Sequence, residues 1–232
     1  MTRRFLSGKG IVGADVEYKV DKAVITHYHE DHIGGNKILL NKLNVDILAN
    51  PKSIPLSKET PSLYPYQELV WGYPDKTGVT PIEGSKIKTP RYTFEVIETP
   101  GHSRDHITLV EPNQGWCFSG DLFVSEKPKV IRPEEDISEI IASMKKLIEL
   151  PYEFILFPSV GEVVLDGKKA MSNCVDYLSD LHQRSKKLSR EGLTPSEIRD
   201  EIFGKESTLA MLTDGQFSSE NLIKSLLKMS KI

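Results

Sequence analysis

The chain has 232 residues, of which 38% are hydrophobic and 27% are charged, and its formal net charge is −3. This length suits one large α/β domain with a small appendage and leaves little room for two large domains. The balanced charge argues against a dominant field for nucleic acid, and no apolar run is long enough to span a membrane. Two cysteines, Cys117 and Cys174, are too few for a disulfide framework, so we expect a cytoplasmic protein.

The first predicted elements lie between residues 22 and 49. Residues 22–26 have the composition of a short buried strand, residues 36–43 that of a short helix, and residues 45–49 that of a second strand. Such a βαβ unit indicates a mainly α/β layered sheet. Residues 1–19 contain three glycines but no periodic pattern, so no regular element is predicted there.

The stretch from residue 26 to residue 35 carries three imidazoles and two carboxylates, which are too many costly polar groups for a core. Neither a regular helix nor a regular strand would gather its histidines and Asp31 on one face. We therefore predict a loop after the first strand, turned by Gly34 and Gly35. Imidazoles and carboxylates at a strand end indicate a metal site, and the candidate ligands are His27, His29, Asp31 and His32.

Two interpretations are open for residues 50–81, which hold six prolines and four aromatic residues. This composition predicts a long irregular segment, and such segments often carry function. The aromatic side chains either wall a substrate cleft or pin the segment to the core.

A second, largely antiparallel sheet is predicted from alternating hydrophobic residues in four segments: 86–89, 92–98, 107–110 and 116–119. Polar groups stand at two of the strand ends. One cluster contains His102 and His106, and the other is formed by Gly120 and Asp121. Each cluster alone is also compatible with an ordinary surface turn.

The rest of the chain predicts one more strand and a series of helices. These elements are a helix at 137–150, an apolar strand at 154–157, a helix at 167–188, a helix with Thr194 as its N-cap, and a last helix beginning at Ser218 or Ser219. His182, within the long helix, is expected at the surface.

The H-x-H-x-D-H pattern at 27–32, followed by His102 and then by Asp121, resembles the ordered motifs of the metallo-β-lactamase-fold hydrolases over residues 22–165. The resemblance is to the branch that contains glyoxalase II-like enzymes and β-lactamase-like endoribonucleases. It implies an α/β fold, a four-layer αββα sandwich, for residues 1–184. It also implies a small helical C-terminal extension at 185–232.

The same resemblance implies a set of metal ligands and supporting residues. One or two zinc ions are expected, with iron or manganese as alternatives. The implied roles are a first ion held by His27, His29 and His102, a second held by Asp31 and His32, a bridge at Asp121 and support from His106. Asp31 is the catalytic candidate, since its carboxylate is placed to orient the attacking water.

The sequence departs from the family pattern at two places. Where the last motif normally supplies a histidine, this chain has Val160, which removes a nitrogen ligand from the second ion. Ser159, Glu162 or water could replace it, and the sequence does not choose among them. The region before residue 20 is also short for this family, so we expect a missing part of the first sheet whose edge a second copy covers in a homodimer.

Three functions are compatible with these observations. The first is a metal-dependent hydrolase that uses a metal-bound hydroxide on a small ester, thioester, lactone or amide. The second is a phosphodiesterase or ribonuclease, which the tail and the histidine motif at 102–106 favour. The third is a metal-binding protein with little or no catalytic activity, because of Val160. A small-molecule substrate is expected and a membrane is not, while nucleic acid is a less favoured partner that the second function keeps open.

Overall fold

The computed structural model describes residues 20–229. The chain divides into two compact units, with the boundary between Ser85 and Lys86. Each unit has its own sheet and its own apolar core. The prediction of an incomplete first sheet covered by a second copy depends on residues 1–19, which lie outside the described residues.

The first unit contains a three-stranded parallel sheet in the order β1-β2-β3, formed by Lys22–Val24, Asp46–Ala49 and Thr80–Pro81. Helices α1 (Glu30–Ile33) and α2 (Asn36–Leu43) connect β1 to β2. The predicted βαβ unit is therefore confirmed. Its core consists of buried side chains from these elements, namely Ile25, Ile33, Ile47 and Ala49.

Helix α1 differs from the predicted loop. His29 has an extended backbone, with φ −93° and ψ 155°, and the chain becomes helical directly after it. Glu30 and Asp31 lie in the first turn, where the helix dipole favours negative charge. The histidine-rich stretch is thus a loop for its first half and one helical turn for its second half.

The segment 50–81 is less irregular than predicted. It contains α3 (Ser53–Leu56) and α4 (Pro65–Trp71). Proline is tolerated at the first helical position because its missing N–H would have no partner there. The backbone N–H of Tyr64 donates to Oε1 of Gln67 at 2.7 Å, which caps α4. The prediction of a long irregular segment was therefore wrong for these two helices, and at α4 the reason is that Pro65 stands at the first helical position.

The second unit contains a five-stranded sheet. Its order is β4-β5-β6-β7-β8, with strands at Lys86–Lys88, Thr93–Glu98, Ile107–Glu111, Trp116–Gly120 and Ile155–Pro158. The pairs from β4 to β7 are antiparallel, which confirms the prediction, and β7 pairs with β8 in parallel. The carboxyl ends of β7 and β8 therefore lie at the same edge of this sheet.

The helices of the second unit are α5 (Ile137–Ile148), α6 (Gly167–Arg190), α7 (Pro195–Phe203), α8 (Thr208–Leu212) and α9 (Ser219–Lys228). The side chain of Thr194 accepts from the backbone N–H of Glu197, as predicted for the start of α7, and α8 was not predicted. These helices bury a core of strand and helix residues that includes Leu156, Leu178, Ile198 and Leu222. Burial of each such side chain contributes about 1.5–3 kcal/mol.

One prediction about the long helix was wrong. His182 is buried, with 7% of its surface exposed, and its Nδ1 lies 2.9 Å from the carbonyl oxygen of Leu226 in α9. It lies on the face of α6 that the last helix covers.

The boundary at residue 184 between the large domain and the C-terminal extension stays a prediction. Among residues 20–229, none of the helices combines the length and apolarity that crossing a membrane requires.

Candidate metal centre

The first cluster of polar groups follows β1 in the first unit. His27 is fully buried, and its Nδ1 lies 3.1 Å from the hydroxyl oxygen of Thr26. Its other ring nitrogen, Nε2, lies 3.0 Å from Nδ1 of His29, and its ring centroid is 4.0 Å from that of His32. The loop therefore directs several imidazoles toward one another.

Helix α1 supplies the remaining groups of this cluster. Oδ2 of Asp31 lies 3.7 Å from Nε2 of His32, and both side chains are partly exposed. Glu30, between the loop and these residues, is buried and accepts a hydrogen bond of 2.7 Å from the side-chain amide of Gln67. Sequence reasoning gave Glu30 no role. Its contact with α4 holds the first turn of α1 in place.

A second cluster lies in the second unit, after β5. Gly101 has φ 133°, and a Cβ at this position would lie 2.5 Å from the backbone nitrogen of Ile140. The loop is fastened to the start of α5, because the N–H of Asp136 donates to the carbonyl oxygen of Gly101 at 2.9 Å. A glycine is required here for both conformation and space. The next residue is His102.

His102 contacts a carboxylate on each side of its ring. Nδ1 lies 3.1 Å from Oε2 of Glu135, and Nε2 lies 3.5 Å from Oδ2 of Asp121. An ionised carboxylate can only accept a hydrogen bond, so Nδ1 carries the proton that it shares with Glu135. The contact of Nε2 with Asp121, at 3.5 Å, is longer than the 3.1 Å between Nδ1 and Glu135, so the shorter Nδ1–Glu135 hydrogen bond places the proton of the neutral ring on Nδ1, with Nε2 facing Asp121.

His106 has a different part in this cluster. Its Nε2 accepts a hydrogen bond of 3.2 Å from the backbone N–H of Asp121. Its Nδ1 therefore carries the ring proton and donates to the Thr99 hydroxyl at 2.9 Å, and that hydroxyl lies 3.0 Å from the Thr108 hydroxyl. Both ring nitrogens are engaged within the unit. His106 holds the backbone of Asp121 in place.

Val160 follows β8 at the sheet edge where Asp121 follows β7. The N–H of Ser159 donates to the carbonyl oxygen of Gly120 at 3.0 Å, which aligns the two strand ends. The Val160 side chain is 54% exposed and has no donor atom for a metal. Glu162 is also exposed in the same loop.

The spacing of the ligand atoms tests whether these residues suit a metal ion. Two ligands at about 2.05 Å from a tetrahedral zinc ion lie about 3.4 Å apart. The pairs His27–His29, Asp31–His32 and His102–Asp121 have separations of 3.0, 3.7 and 3.5 Å. Within each unit, the nitrogen and oxygen donors therefore fit zinc, iron or manganese.

The cysteines do not extend this donor set. Cys117 and Cys174 are both buried. Burial raises the pKa of the Cys117 thiol well above its usual range, and burial together with the charge of Glu126 raises that of Cys174 to about 12. Among the described residues, the groups that could hold a metal ion contain only histidine and aspartate, and both cysteines belong to the apolar core of the second unit.

The family model described as "Metallo-beta-lactamase superfamily" matches residues 17–159, which include both clusters. A similar protein is the β-lactamase-like protein 2 homolog of Caenorhabditis elegans, with 25% identity over 204 residues. That match covers 86% of this chain and 62% of the nematode protein. This chain thus spans about three fifths of that relative's length.

Two further comparisons concern bacterial proteins. The hydroxyacylglutathione hydrolase GloC of Haemophilus influenzae is 28% identical over 166 residues, which cover 68% of this chain and 76% of that protein. The crystal structure of a β-lactamase domain protein from Burkholderia ambifaria has a TM-score of 0.67 at 18% identity, covering 90% of this chain and 68% of that one. The structural likeness confirms the predicted fold class.

Proposed function

The chain belongs to the metallo-β-lactamase superfamily, and from this premise we propose that it is a metal-dependent hydrolase of a small ester or thioester. The observation that carries the proposal is the paired arrangement of donors in each cluster. His27 and His29 direct ring nitrogens toward each other at 3.0 Å, and His102 holds its Nδ1 proton against Glu135 while Nε2, 3.5 Å from Oδ2 of Asp121, is the proposed ligand atom.

The proposed ligand assignment follows the order of the motifs. A first ion would be held by His27, His29 and His102. A second ion would be held by Asp31 and His32, and Asp121 is the proposed ligand shared by both. Support comes from the family match, which extends over all six positions, and from the donor spacing within each unit.

A bound metal ion lowers the pKa of water from about 16 to about 7 and polarises a carbonyl group. The protein's own residues position the reactants around that chemistry. Asp31, whose side chain is 25% exposed, is proposed to accept a hydrogen bond from the attacking water and so to orient it. His106 keeps the backbone of Asp121 fixed, and Glu135 keeps the His102 proton on Nδ1.

A thioester is the favoured substrate class. The Haemophilus relative is a hydroxyacylglutathione hydrolase, and acyl glutathiones are thioesters. A thioester needs no protein nucleophile when an activated water attacks its carbonyl. Zinc is the proposed ion, with iron or manganese as alternatives.

A cytoplasmic homodimer stays a prediction. Light scattering would check the dimer, and cell fractionation would check the compartment.

The test is a hydrolysis screen of the purified chain with matched thioesters, oxyesters, lactones and phosphodiesters. Thioester hydrolysis should be fastest, should disappear on removal of metal by a chelator, and should return when zinc, iron or manganese is added. The double variant His27→Ala/His29→Ala should be inactive under all conditions. Chelator-resistant hydrolysis, or faster cleavage of the phosphodiester, would contradict the proposal.

A further inference from the structure

We propose that Glu135 is a positioning residue that fixes His102 as a metal ligand, and that the last helix, α9, holds Glu135 in place. The inference rests on the proposed function, since it takes His102 to be a ligand. It assigns the C-terminal part of the chain a role in the metal centre that neither the motifs nor the comparisons give it.

Both carboxylate oxygens of Glu135 are engaged. Oε2 lies 3.1 Å from Nδ1 of His102, and Oε1 accepts a hydrogen bond of 2.7 Å from the backbone N–H of Arg132. The side chains of Glu135 and His102 are 9% and 7% exposed. A charge-assisted hydrogen bond in such a place is stronger than a neutral one, and it favours the tautomer in which Nε2 keeps its lone pair.

The segment that carries Glu135, residues 131–136, contains no helix and only one isolated bridging residue. Its position therefore depends on contacts with other elements. Ile131 and Ser218 exchange two backbone hydrogen bonds of 3.3 and 3.2 Å, and the side-chain amide of Asn221 donates to the carbonyl oxygen of Ile131 at 3.2 Å. The start of α9 thus fixes the beginning of the segment.

Ser225 fixes the other end. Its hydroxyl donates to the carbonyl oxygen of Glu135 at 3.2 Å and accepts from the backbone N–H of Ile137 at 3.0 Å. Arg132, which is 4% exposed, places its guanidinium 5.1 Å from the ring centroid of Phe217, just before α9. A continuous path of hydrogen bonds therefore runs from α9 through Glu135 to the ring of His102.

The first experiment compares Glu135→Gln with Glu134→Gln in the full chain. Glutamine has one acceptor oxygen where Glu135 uses two, so either His102 or Arg132 loses its partner. We expect the zinc affinity of Glu135→Gln, measured by chelator competition, to fall about 10- to 100-fold. Glu139→Gln, at an exposed position on α5, is a second and better control than Glu134→Gln, because the Glu134 carboxylate lies 4.0 Å from the guanidinium of Arg132; Glu139→Gln should leave the affinity unchanged.

The second experiment tests the contribution of α9. Ser225→Ala removes both hydrogen bonds of the hydroxyl, and we expect a smaller loss of zinc affinity, about 2- to 10-fold. Ser179→Ala is the control, because the Ser179 hydroxyl donates within α6, to the carbonyl oxygen of Val175. Equal losses in the two serine variants would contradict a specific role for α9.

A third measurement uses the parent protein, so its result remains informative even if Glu135→Gln fails to fold. Long-range ¹⁵N–¹H NMR of the metal-free parent should find the proton of the neutral His102 ring on Nδ1, and a neutral ring that carries its proton on Nε2 instead would overturn the inference. His102→Ala separates the two proposals. If His102→Ala loses zinc but Glu135→Gln binds like the parent, only this inference fails, and if His102→Ala itself binds like the parent, the proposed ligand assignment fails as well.

Discussion

The histidine-rich stretch of the first unit and the His102 cluster of the second unit are built in different ways. In the first, four candidate ligands lie within the six residues 27–32, and their side chains contact one another. In the second, His102 and Asp121 follow different strands, and each is held by a partner outside the proposed ligand set. Local chain geometry shapes the first cluster, whereas tertiary contacts shape the second.

The largest expected effect comes from removing the ligands of the local cluster. His27→Ala/His29→Ala should lower zinc affinity by more than about 100-fold, because loss of even an outer hydrogen-bond partner commonly costs about 10- to 100-fold. Elemental analysis after dialysis checks this prediction. Gln183→Ala/Lys187→Ala is the control, since both side chains are exposed on α6. Parental metal content in the double variant would show that these imidazoles are not ligands.

The second prediction concerns Val160, which stands where the family pattern has a histidine ligand. With Val160 in place, the proposed second ion has one protein nitrogen, so it should bind more weakly than the first. Val160→His should tighten that ion about 10- to 100-fold and raise the metal-to-chain ratio. Val163→His is a matched control, because Val160 and Val163 are both 54% exposed. Equal stoichiometry and affinity in the parent and Val160→His would mean that another group already fills the position.

The third prediction separates a supporting residue from a ligand. His106→Ala removes the acceptor for the N–H of Asp121 and the donor to Thr99, both in a buried place. We expect zinc affinity to fall about 10-fold, which is less than on loss of two ligands. The free energy of unfolding of the metal-free protein should fall by about 1–3 kcal/mol. Chelator competition and urea titration measure the two effects, and a complete loss of zinc by a folded variant would instead make His106 a ligand.

The smallest expected effect tests how the last helix is held. Glu206 accepts from the N–H groups of Ser219, Ser207 and Glu220. Burial raises the pKa of Glu206. These hydrogen bonds and the charge of Arg199 lower the pKa by more than burial raises it, so the pKa of Glu206 lies below its usual value. Glu206→Gln should therefore destabilise the protein by about 1 kcal/mol at pH 7.

The pH dependence of this effect has a definite sign. A lowered pKa in the folded state means that the stabilisation is complete above the unfolded pKa of about 4.3 and is lost as the pH falls through the folded pKa. The difference between the parent and Glu206→Gln should therefore shrink in acid. Glu201→Gln, at an exposed position on α7, is the control. A difference that persists unchanged down to pH 2 would contradict the role of the carboxylate charge.

The sequence predicted most of the fold because its signals are local. Alternating residues located β5, and Thr194 with Pro195 and Glu197 located the start of α7. The helices at Ser53–Leu56 and Pro65–Trp71 were not predicted, because a proline-rich composition is typical of irregular segments. His182 was misplaced because a single polar residue on a helix does not reveal that another helix covers it.

In the candidate site, too, residues with a local sequence pattern could be predicted and residues held by distant contacts could not. The candidate ligands at 27–32 could be proposed from the density of histidine and carboxylate residues in the sequence. Glu135 could not, because it lies in a turn without a recognisable pattern and its partner His102 is 33 positions away in the chain. Glu30 was missed for a similar reason, since its partner Gln67 is 37 positions away. A residue that positions a ligand is visible only when the tertiary contacts are known.

The bonds that Ser225 makes to Glu135 and Ile137 join residues 90 and 88 positions apart. Contacts between such distant parts of a chain form late, because a long loop must be closed before they can be made. During synthesis, all six proposed ligands have been added by residue 121, but Ser225 follows about a hundred residues later. A growing chain therefore carries the proposed ligands well before the contacts of α9 that we propose to position His102 can form, and we expect tight metal retention only once α9 has been added.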